Sequence, residues 1–222
     1  MPNRKLAVFF LLLLALASAA LAFQQPAAGS SSVFNEVREW RERDGWQRPQ
    51  EVMDELEIGA GDVVADIGAG GGYFSFHLAE RVGPNGKVYA QDIDSGELAN
   101  VRKRARKHGY QQIETVKGER DDPGLPPKSL DVALVVNAYH EMREYDAMLR
   151  GLHGALKPGG LLAIIDKGAN AGDSRSAYYA RHAIPREYVH EDAARNRFRF
   201  LRQPRGFRSE GRDWFFLVFQ KE

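Results

Sequence analysis

The sequence predicts an α/β protein in which a mostly parallel sheet lies between two layers of helices, a three-layer α-β-α sandwich. Short apolar runs rich in β-branched residues alternate with segments of helical spacing along the chain. These runs are apolar at consecutive positions, as is typical of strands buried on both faces of a parallel sheet. Four glycines at positions 68, 70, 71 and 72 separate the first run from a helical segment. They indicate a tight turn that a ligand can approach closely.

The predicted elements follow one another in regular order. Residues 33–43 form an amphipathic helix that Asp44 and Gly45 end, and residues 50–56 form a second helix. Apolar runs predict strands at 63–67, 87–91, 113–116, 130–136 and 161–166, with helices at 73–82, 95–108 and 145–156. Residues 197–200 and 214–219 are the last two strands.

The N-terminal 22 residues have the anatomy of a secretory signal peptide. Arg4 and Lys5 precede the unbroken apolar run 6–17, and Ala20-Leu21-Ala22 has the small-x-small form of a cleavage site. The alternative is an uncleaved membrane anchor, because the segment 6–23 is about long enough to span a bilayer. Residues 23–32 are then a flexible tether and residues 33–222 a single domain. We expect a periplasmic or secreted protein, or one anchored in the inner membrane.

Composition excludes several kinds of chemistry. The chain of 222 residues contains no cysteine, which removes thiolate nucleophiles, disulfides and cysteine-bound zinc. No metal site is predicted. The formal net charge of +1 does not indicate a nucleic-acid partner.

The glycine-rich turn distinguishes between two kinds of nucleotide site. A dinucleotide site requires the spacing G-x-G-x-x-G, and this spacing fails whether it is read from Gly68 or from Gly70. The string does fit D/E-x-G-x-G-x-G, with Asp66 at its start and Gly72 at its end. This pattern resembles the signature loop of class I S-adenosylmethionine (SAM)-dependent methyltransferases.

The resemblance covers roughly residues 46–219, and the Leu-Lys-Pro-Gly-Gly sequence at 156–160 is a further family feature. It implies a seven-stranded, Rossmann-like sheet with an antiparallel last strand, and SAM as the cofactor. The subgroup that the chain resembles comprises small-molecule enzymes akin to the quinone C-methyltransferases.

An acid at the tip of the second strand, Asp92, is placed to accept hydrogen bonds from ribose hydroxyls. The resemblance implies the same role, and it places Ile93 against the adenine and either Glu119 or Asp121 at the adenine amino group. Asp94 is better explained as a helix N-cap. The expected cofactor-binding residues are Asp66, Gly68, Ala69, Gly70, Gly72, Asp92, Ile93, Glu119, Asp121 and Asn137.

The tip of the fourth strand carries the expected catalytic residues, His140 and Tyr139. An imidazole titrates near neutral pH and can accept a proton from an O–H or N–H nucleophile. The alternative is a histidine that packs and bonds locally. Enzymes that methylate DNA bases or glutamine amides carry N/D-P-P-Y/F here, and the absence of both prolines after Asn137 disfavours those substrates.

The predicted function is SAM-dependent methyl transfer to a small-molecule acceptor, in an exported or envelope-associated enzyme. Residues 6–23 are the segment expected to associate with the membrane. The first alternative is a non-catalytic SAM- or nucleotide-binding module at the membrane. The second is a nicotinamide-dependent oxidoreductase.

Overall fold

A computed structural model describes residues 33–204 and 213–222. The predicted leader and tether, residues 1–32, lie outside the described residues, so the signal peptide, the anchor and the domain boundary stay predictions. In the part of the chain that the structure describes, no helix has both the length and the apolar character needed to cross a membrane.

Within the described residues, seven strands form one sheet whose order is β3-β2-β1-β4-β5-β7-β6. All neighbours from β3 to β5 are parallel, whereas β7 runs antiparallel to both β5 and β6. The predicted mostly parallel sheet with an antiparallel last strand is therefore confirmed. The strands are β1 (Val63–Ile67), β2 (Lys87–Asp92), β3 (Ile113–Lys117), β4 (Leu130–Val136), β5 (Leu156–Lys167), β6 (Phe198–Arg202) and β7 (Trp214–Lys221).

Eight α-helices and one 3-10 turn accompany the sheet in the described ranges. The 3-10 turn, at Tyr139–Glu141, follows β4 directly. Residues 118–129, between β3 and β4, form a loop without a helix. The helices are α1 (Val33–Glu36), α2 (Arg38–Gln47), α3 (Pro49–Glu55), α4 (Tyr73–Val82), α5 (Ser95–His108), α6 (Tyr145–Ala155), α7 (Arg175–Arg181) and α8 (Arg186–Arg195).

The core is divided into two layers by the sheet, and β1 and β4 contribute to both. In β4, Leu134 belongs to the cluster formed with α4 and α5, and Val135 to the cluster formed with α6 and α8. Alternate residues of a strand point to opposite faces, so both faces of these strands require apolar side chains. This explains why the runs are apolar at consecutive positions.

The predicted end of the first helix at Asp44-Gly45 is wrong. The helix is interrupted at Val37, and a second helix, α2, then continues through Gly45 to Gln47. Helix α2 ends at Arg48, which has a left-handed backbone with φ of 49°. Pro49 follows, and a proline disfavours helical conformation in the residue before it, so the proline rather than the glycine ends the helix.

The strand order positions a ligand site. Strands β2 and β3 lie on one side of β1, and β4, the next strand in the sequence, lies on the other side of β1. The connections therefore leave in opposite directions from the carboxyl ends of β1 and β4. A crevice forms at such a switch point, because the loops there diverge.

Candidate functional site

A cleft of about 270 Å³ lies at this switch point. It is bounded by the ends of β1, β2 and β4 and by the segments that follow β3 and β4. Its lining residues are Ile67, Gly68, Gly70, Gln91, Asp92, Ile93, Glu119, Arg120, Asn137, Ala138, Glu141, Met142, Arg143 and Met148.

The glycine loop, residues 68–72, is fixed by the end of β2. The backbone N–H groups of Gly68 and Ala69 both donate to the carbonyl of Gln91, at 2.9 Å each. Gly68 has φ of 70°, and a Cβ placed on it would lie 2.6 Å from the Cβ of Ala138. The loop thus packs against the segment after β4 at a distance that only glycine permits.

Substituting Gly68 by alanine is expected to destabilise the fold by about 1–2 kcal/mol, the usual cost of a left-handed residue other than glycine, with a further loss from the contact with Ala138. Urea denaturation measures the change. Gly61→Ala is the matched control, since Gly61 also has a positive φ (91°) but open space around its Cβ position. Equal losses in the two variants would show that close packing against Ala138 contributes nothing.

Asp92 joins the glycine loop to β2. Its Oδ2 accepts a hydrogen bond from the Gly70 N–H at 2.8 Å, and its Oδ1 accepts one from the Asp94 N–H at 2.9 Å. A carboxylate can accept about four hydrogen bonds, so both oxygens keep lone pairs for a ligand. Asp94 itself caps α5, accepting from the N–H groups of Gly96 and Glu97, which confirms the predicted N-cap.

Asp66 lies beneath the loop and does not line the cleft. It is 3% exposed, and its Oδ2 accepts a hydrogen bond from the Ser75 hydroxyl at 2.6 Å. Burial raises the pKa of Asp66 to about 6, against the lowering effect of the Ser75 hydrogen bonds. Its geometry is that of a support for the loop, since it ties the end of β1 to the first turn of α4.

The residues expected at the adenine end are only partly brought together. Ile93, 49% exposed, lines the cleft together with Glu119 and Asn137. An exposed apolar side chain at this position can pack against the ring of a ligand. Asp121 is exposed and is not among the lining residues, so the geometry favours Glu119 of the two acids.

Tyr139 is not brought to the cleft. Its side chain is buried, and its hydroxyl donates to Asp192 Oδ2 at 2.8 Å. Arg175 and Arg195 each donate to the same carboxylate at 2.6 Å. Burial, followed by the charge of Asp192, raises the pKa of Tyr139 far above its ordinary value. These contacts are typical of a structural tyrosine that joins the segment after β4 to α8.

Removing the Tyr139 hydroxyl with Tyr139→Phe is expected to lower the free energy of unfolding by about 1 kcal/mol, the net value of one hydrogen bond. Cofactor affinity should not change. Tyr188→Phe, which removes a hydrogen bond to the Asp173 carbonyl at an exposed site, should cost less. Full stability together with lost methyl transfer in Tyr139→Phe would instead assign the hydroxyl to catalysis.

His140 lies beside the cleft and is oriented by a buried acid. Its Nδ1–H donates to Asp166 Oδ1 at 2.8 Å, and its backbone N–H donates to Asp166 Oδ2 at 3.0 Å. Burial favours the neutral imidazole, but Asp166 and Glu141 outweigh this and raise the pKa of His140. Its Nε2 faces Glu141 and His182, so the lone pair on Nε2 can accept a proton or bind a metal ion.

Several residues of the cleft were not predicted from the sequence. Gln91 reads as an ordinary strand residue, yet it is buried against the loop. Arg120, Glu141, Met142, Arg143 and Met148 enter the cleft because the segments after β3 and β4 fold back over it. The only sequence signal for the second group was their position after a strand tip, where side chains face the crevice.

A crossed-over parallel sheet with a glycine loop and an acid at adjoining strand tips defines a class of nucleoside-binding α/β domain. Residues 64–160 match the family described as "Methyltransferase domain". This match, the relatives below and the fold support the predicted class I SAM-dependent methyltransferase. The cofactor of that class is SAM.

Two curated relatives illustrate the similarity. The demethylmenaquinone methyltransferase of Geobacillus stearothermophilus is 25% identical over 133 residues, which is 60% of this chain and 56% of that protein. The ubiquinone/menaquinone biosynthesis C-methyltransferase of Hahella chejuensis is 30% identical over 116 residues, or 52% and 47%. The chain therefore spans about half the length of the curated relatives it matches.

Solved structures share the fold. A SAM-dependent methyltransferase from Aquifex aeolicus superposes with a TM-score of 0.70 at 23% identity, covering 83% of this chain and 98% of that one. A phosphoethanolamine N-methyltransferase from Haemonchus contortus, in complex with SAM, superposes with a TM-score of 0.64 at 16% identity, covering 79% and 52%. At these identities the likeness concerns the architecture.

Proposed function

We propose that this protein binds SAM in the cleft and transfers its methyl group to a small-molecule acceptor. The observation that carries the proposal is the 2.8 Å hydrogen bond between the Gly70 N–H and the Asp92 carboxylate. This contact brings the glycine loop and the acid of the neighbouring strand to one point. A single nucleoside can therefore touch both.

Residues that line the cleft support this proposal. Asp92 has acceptor capacity left for two ribose hydroxyls. Ile93 offers an apolar surface to the adenine, and Glu119 also lines the cleft. Gly68 and Gly70 also line the cleft, and the absence of side chains there lets the methionine portion approach the backbone.

Catalysis in this proposal rests mainly on positioning. SAM, when bound, supplies an electrophilic methyl group on a sulfonium sulfur. The protein holds the acceptor in line with that group and limits the access of water. The expectation that His140 acts as a general base stays a prediction, and its support is the orientation of the imidazole by Asp166.

The acceptor is inferred to be a small molecule with an apolar part. Ile67, Met142 and Met148 line the cleft, and methionine adapts to irregular ligands. Arg143, exposed at the same cleft, can pair with an anionic or carbonyl oxygen of the acceptor. The names of the two curated relatives make a quinone-type ring the first class to test.

The test is methyl transfer from tritium-labelled SAM by the purified full-length chain. Quinone precursors and lipid extracts of the cell envelope serve as acceptors, and calorimetry with SAM and S-adenosylhomocysteine measures binding. We expect binding of both ligands and label transfer to one acceptor fraction. Binding without transfer to any fraction would favour the non-catalytic module, and absence of binding would refute the proposal.

The same assays separate the two acids near the adenine. Glu119→Ala is expected to weaken SAM binding, whereas Asp121→Ala should leave it close to wild type. The reverse order would assign the adenine contact to Asp121.

We infer export from residues 1–22, whose pattern is that of a cleaved leader. N-terminal sequencing of the protein from separated cell fractions tests this. A periplasmic protein beginning at Phe23 supports it, and an intact chain in the membrane fraction favours the anchor.

A further inference from the structure

Two imidazoles and a carboxylate meet beside the cleft. His140 Nε2 lies 3.3 Å from His182 Nδ1 and 3.5 Å from Glu141 Oε1, and His182 Nδ1 lies 3.5 Å from Glu141 Oε1. The three atoms thus form a nearly equilateral triangle. His140 and Glu141 come from the 3-10 turn after β4, and His182 follows α7.

The size of this triangle matches a tetrahedral metal site. Zinc binds imidazole nitrogen and carboxylate oxygen at about 2.0–2.2 Å in tetrahedral geometry, which separates neighbouring ligand atoms by roughly 3.3–3.5 Å. The observed edges of 3.3 to 3.5 Å fall on that value. They are long for the hydrogen bonds that these groups would otherwise form. Two imidazoles also suit Zn²⁺ better than Mg²⁺ or Ca²⁺, which prefer oxygen ligands.

The surroundings of His140 are those of a metal ligand. Histidines that bind metals usually donate their other ring N–H to a carboxylate or carbonyl, which fixes the tautomer and the ring plane. Asp166, fully buried at the end of β5, accepts the His140 Nδ1–H at 2.8 Å. This leaves the lone pair of Nε2 directed at His182 and Glu141. Asp166 is itself fixed by the backbone N–H groups of His140 and Lys167.

We propose that His140, Glu141 and His182 bind one Zn²⁺ ion, with Asp166 as the positioning residue behind His140. Three protein ligands leave a fourth position open, as in catalytic zinc sites. The side chains of Glu141 and His182 are 63% and 71% exposed, so an exogenous ligand can reach that position. This site differs from the sequence-based expectation of no metal, because spacing along the chain gives no sign that His182 joins the other two.

The location gives the ion a role that rests on the proposed function. Glu141 also lines the cleft, so the ion lies at its side. Its open position would take water or an oxygen of the acceptor, and a hydroxyl bound there would release its proton to solvent more easily. In this arrangement His140 holds the metal and does not act as the general base.

The experiment is a metal titration of the full-length chain after removal of metals with a chelator. Zn²⁺ binding is measured by calorimetry, and Co²⁺ substitution is followed by visible absorption, since tetrahedral Co²⁺ gives intense bands. We expect one equivalent of either ion. His182→Ala and Glu141→Gln, both at exposed positions, should each weaken Zn²⁺ binding by roughly 100-fold, and Asp166→Asn by about 10–100-fold. His108→Ala, which removes an imidazole at the end of α5, is the control and should bind as wild type.

The outcomes separate this inference from the proposed function. SAM affinity, measured on the same samples, is expected to survive His182→Ala. Zn²⁺ binding without SAM binding would support the metal site and refute the proposed function. SAM binding without Zn²⁺ binding would support the proposed function and refute the metal site. The inference is overturned if the metal-free protein binds no Zn²⁺, or if His182→Ala and Glu141→Gln bind it as tightly as wild type.

Discussion

The free energy of unfolding of the wild-type protein is expected to fall by about 3 kcal/mol between about pH 4 and about pH 6 because Asp66 titrates. In the variant Asp66→Asn this fall should be absent. Burial raises the pKa of this carboxyl from 3.8 to about 6 in the folded state. The folded protein therefore binds the proton more tightly than the unfolded chain. The stabilisation is complete below pH 4 and disappears as the pH rises through about 6, where folding must bury a charge.

The measurement is the free energy of unfolding by urea at a series of pH values, for the wild type and Asp66→Asn. The difference between the two proteins isolates Asp66, because the other groups titrate in both. Asp54→Asn, at an exposed site, controls for the loss of one negative charge. A difference that stays constant with pH would show that Asp66 titrates alike in the folded and unfolded states.

Asp92→Ala is expected to weaken SAM binding by about 1–3 kcal/mol, or roughly 5- to 150-fold, the cost of leaving buried ribose hydroxyls without a partner. The substitution also removes the acceptor of the Gly70 N–H, so the glycine loop loses its link to β2. Asp92→Asn should retain part of the affinity, because an amide oxygen still accepts one hydrogen bond.

Calorimetry with SAM on the full-length chain measures this effect. Asp54→Ala, which removes an exposed carboxylate on α3 outside the cleft, is the matched control. An affinity for SAM unchanged in Asp92→Ala would remove the ribose role. Circular dichroism checks that Asp92→Ala folds. If it does not fold, the affinity of Asp92→Asn for SAM is measured instead.

Local sequence signals were sufficient for the architecture and for one half of the site. The strands follow from apolar runs such as Val63–Ile67 and Leu130–Val136, whose burial on both faces requires apolar residues throughout. The glycine loop and Asp92 could be placed because the carboxyl ends of adjacent parallel strands meet at one edge of the sheet. The hydrogen bond between Gly70 and Asp92 confirms that they do.

Sequence signals were less informative about where a helix ends and about which of two neighbouring side chains reaches the site. Gly45 suggested a helix end, but helix α2 continues through it because Pro49 imposes a stronger restriction four residues later. Tyr139 and His140 stand side by side in the sequence, yet Tyr139 turns to Asp192 and His140 to Asp166. Neighbours in a 3-10 turn point in different directions, and only packing decides which of them reaches a site.

The sequence by itself determined the sheet, the glycine loop and the acid at the tip of β2, since each depends on residues close together in the chain or on a fixed strand geometry. The tertiary structure alone decided that Asp66 supports the loop from below, that Glu119 rather than Asp121 faces the cleft, and that His182 joins His140 and Glu141 across 42 positions. The physical reason is that these contacts depend on how loops of irregular backbone fold over the sheet. Their side chains meet through space, and no periodicity along the chain records such a meeting.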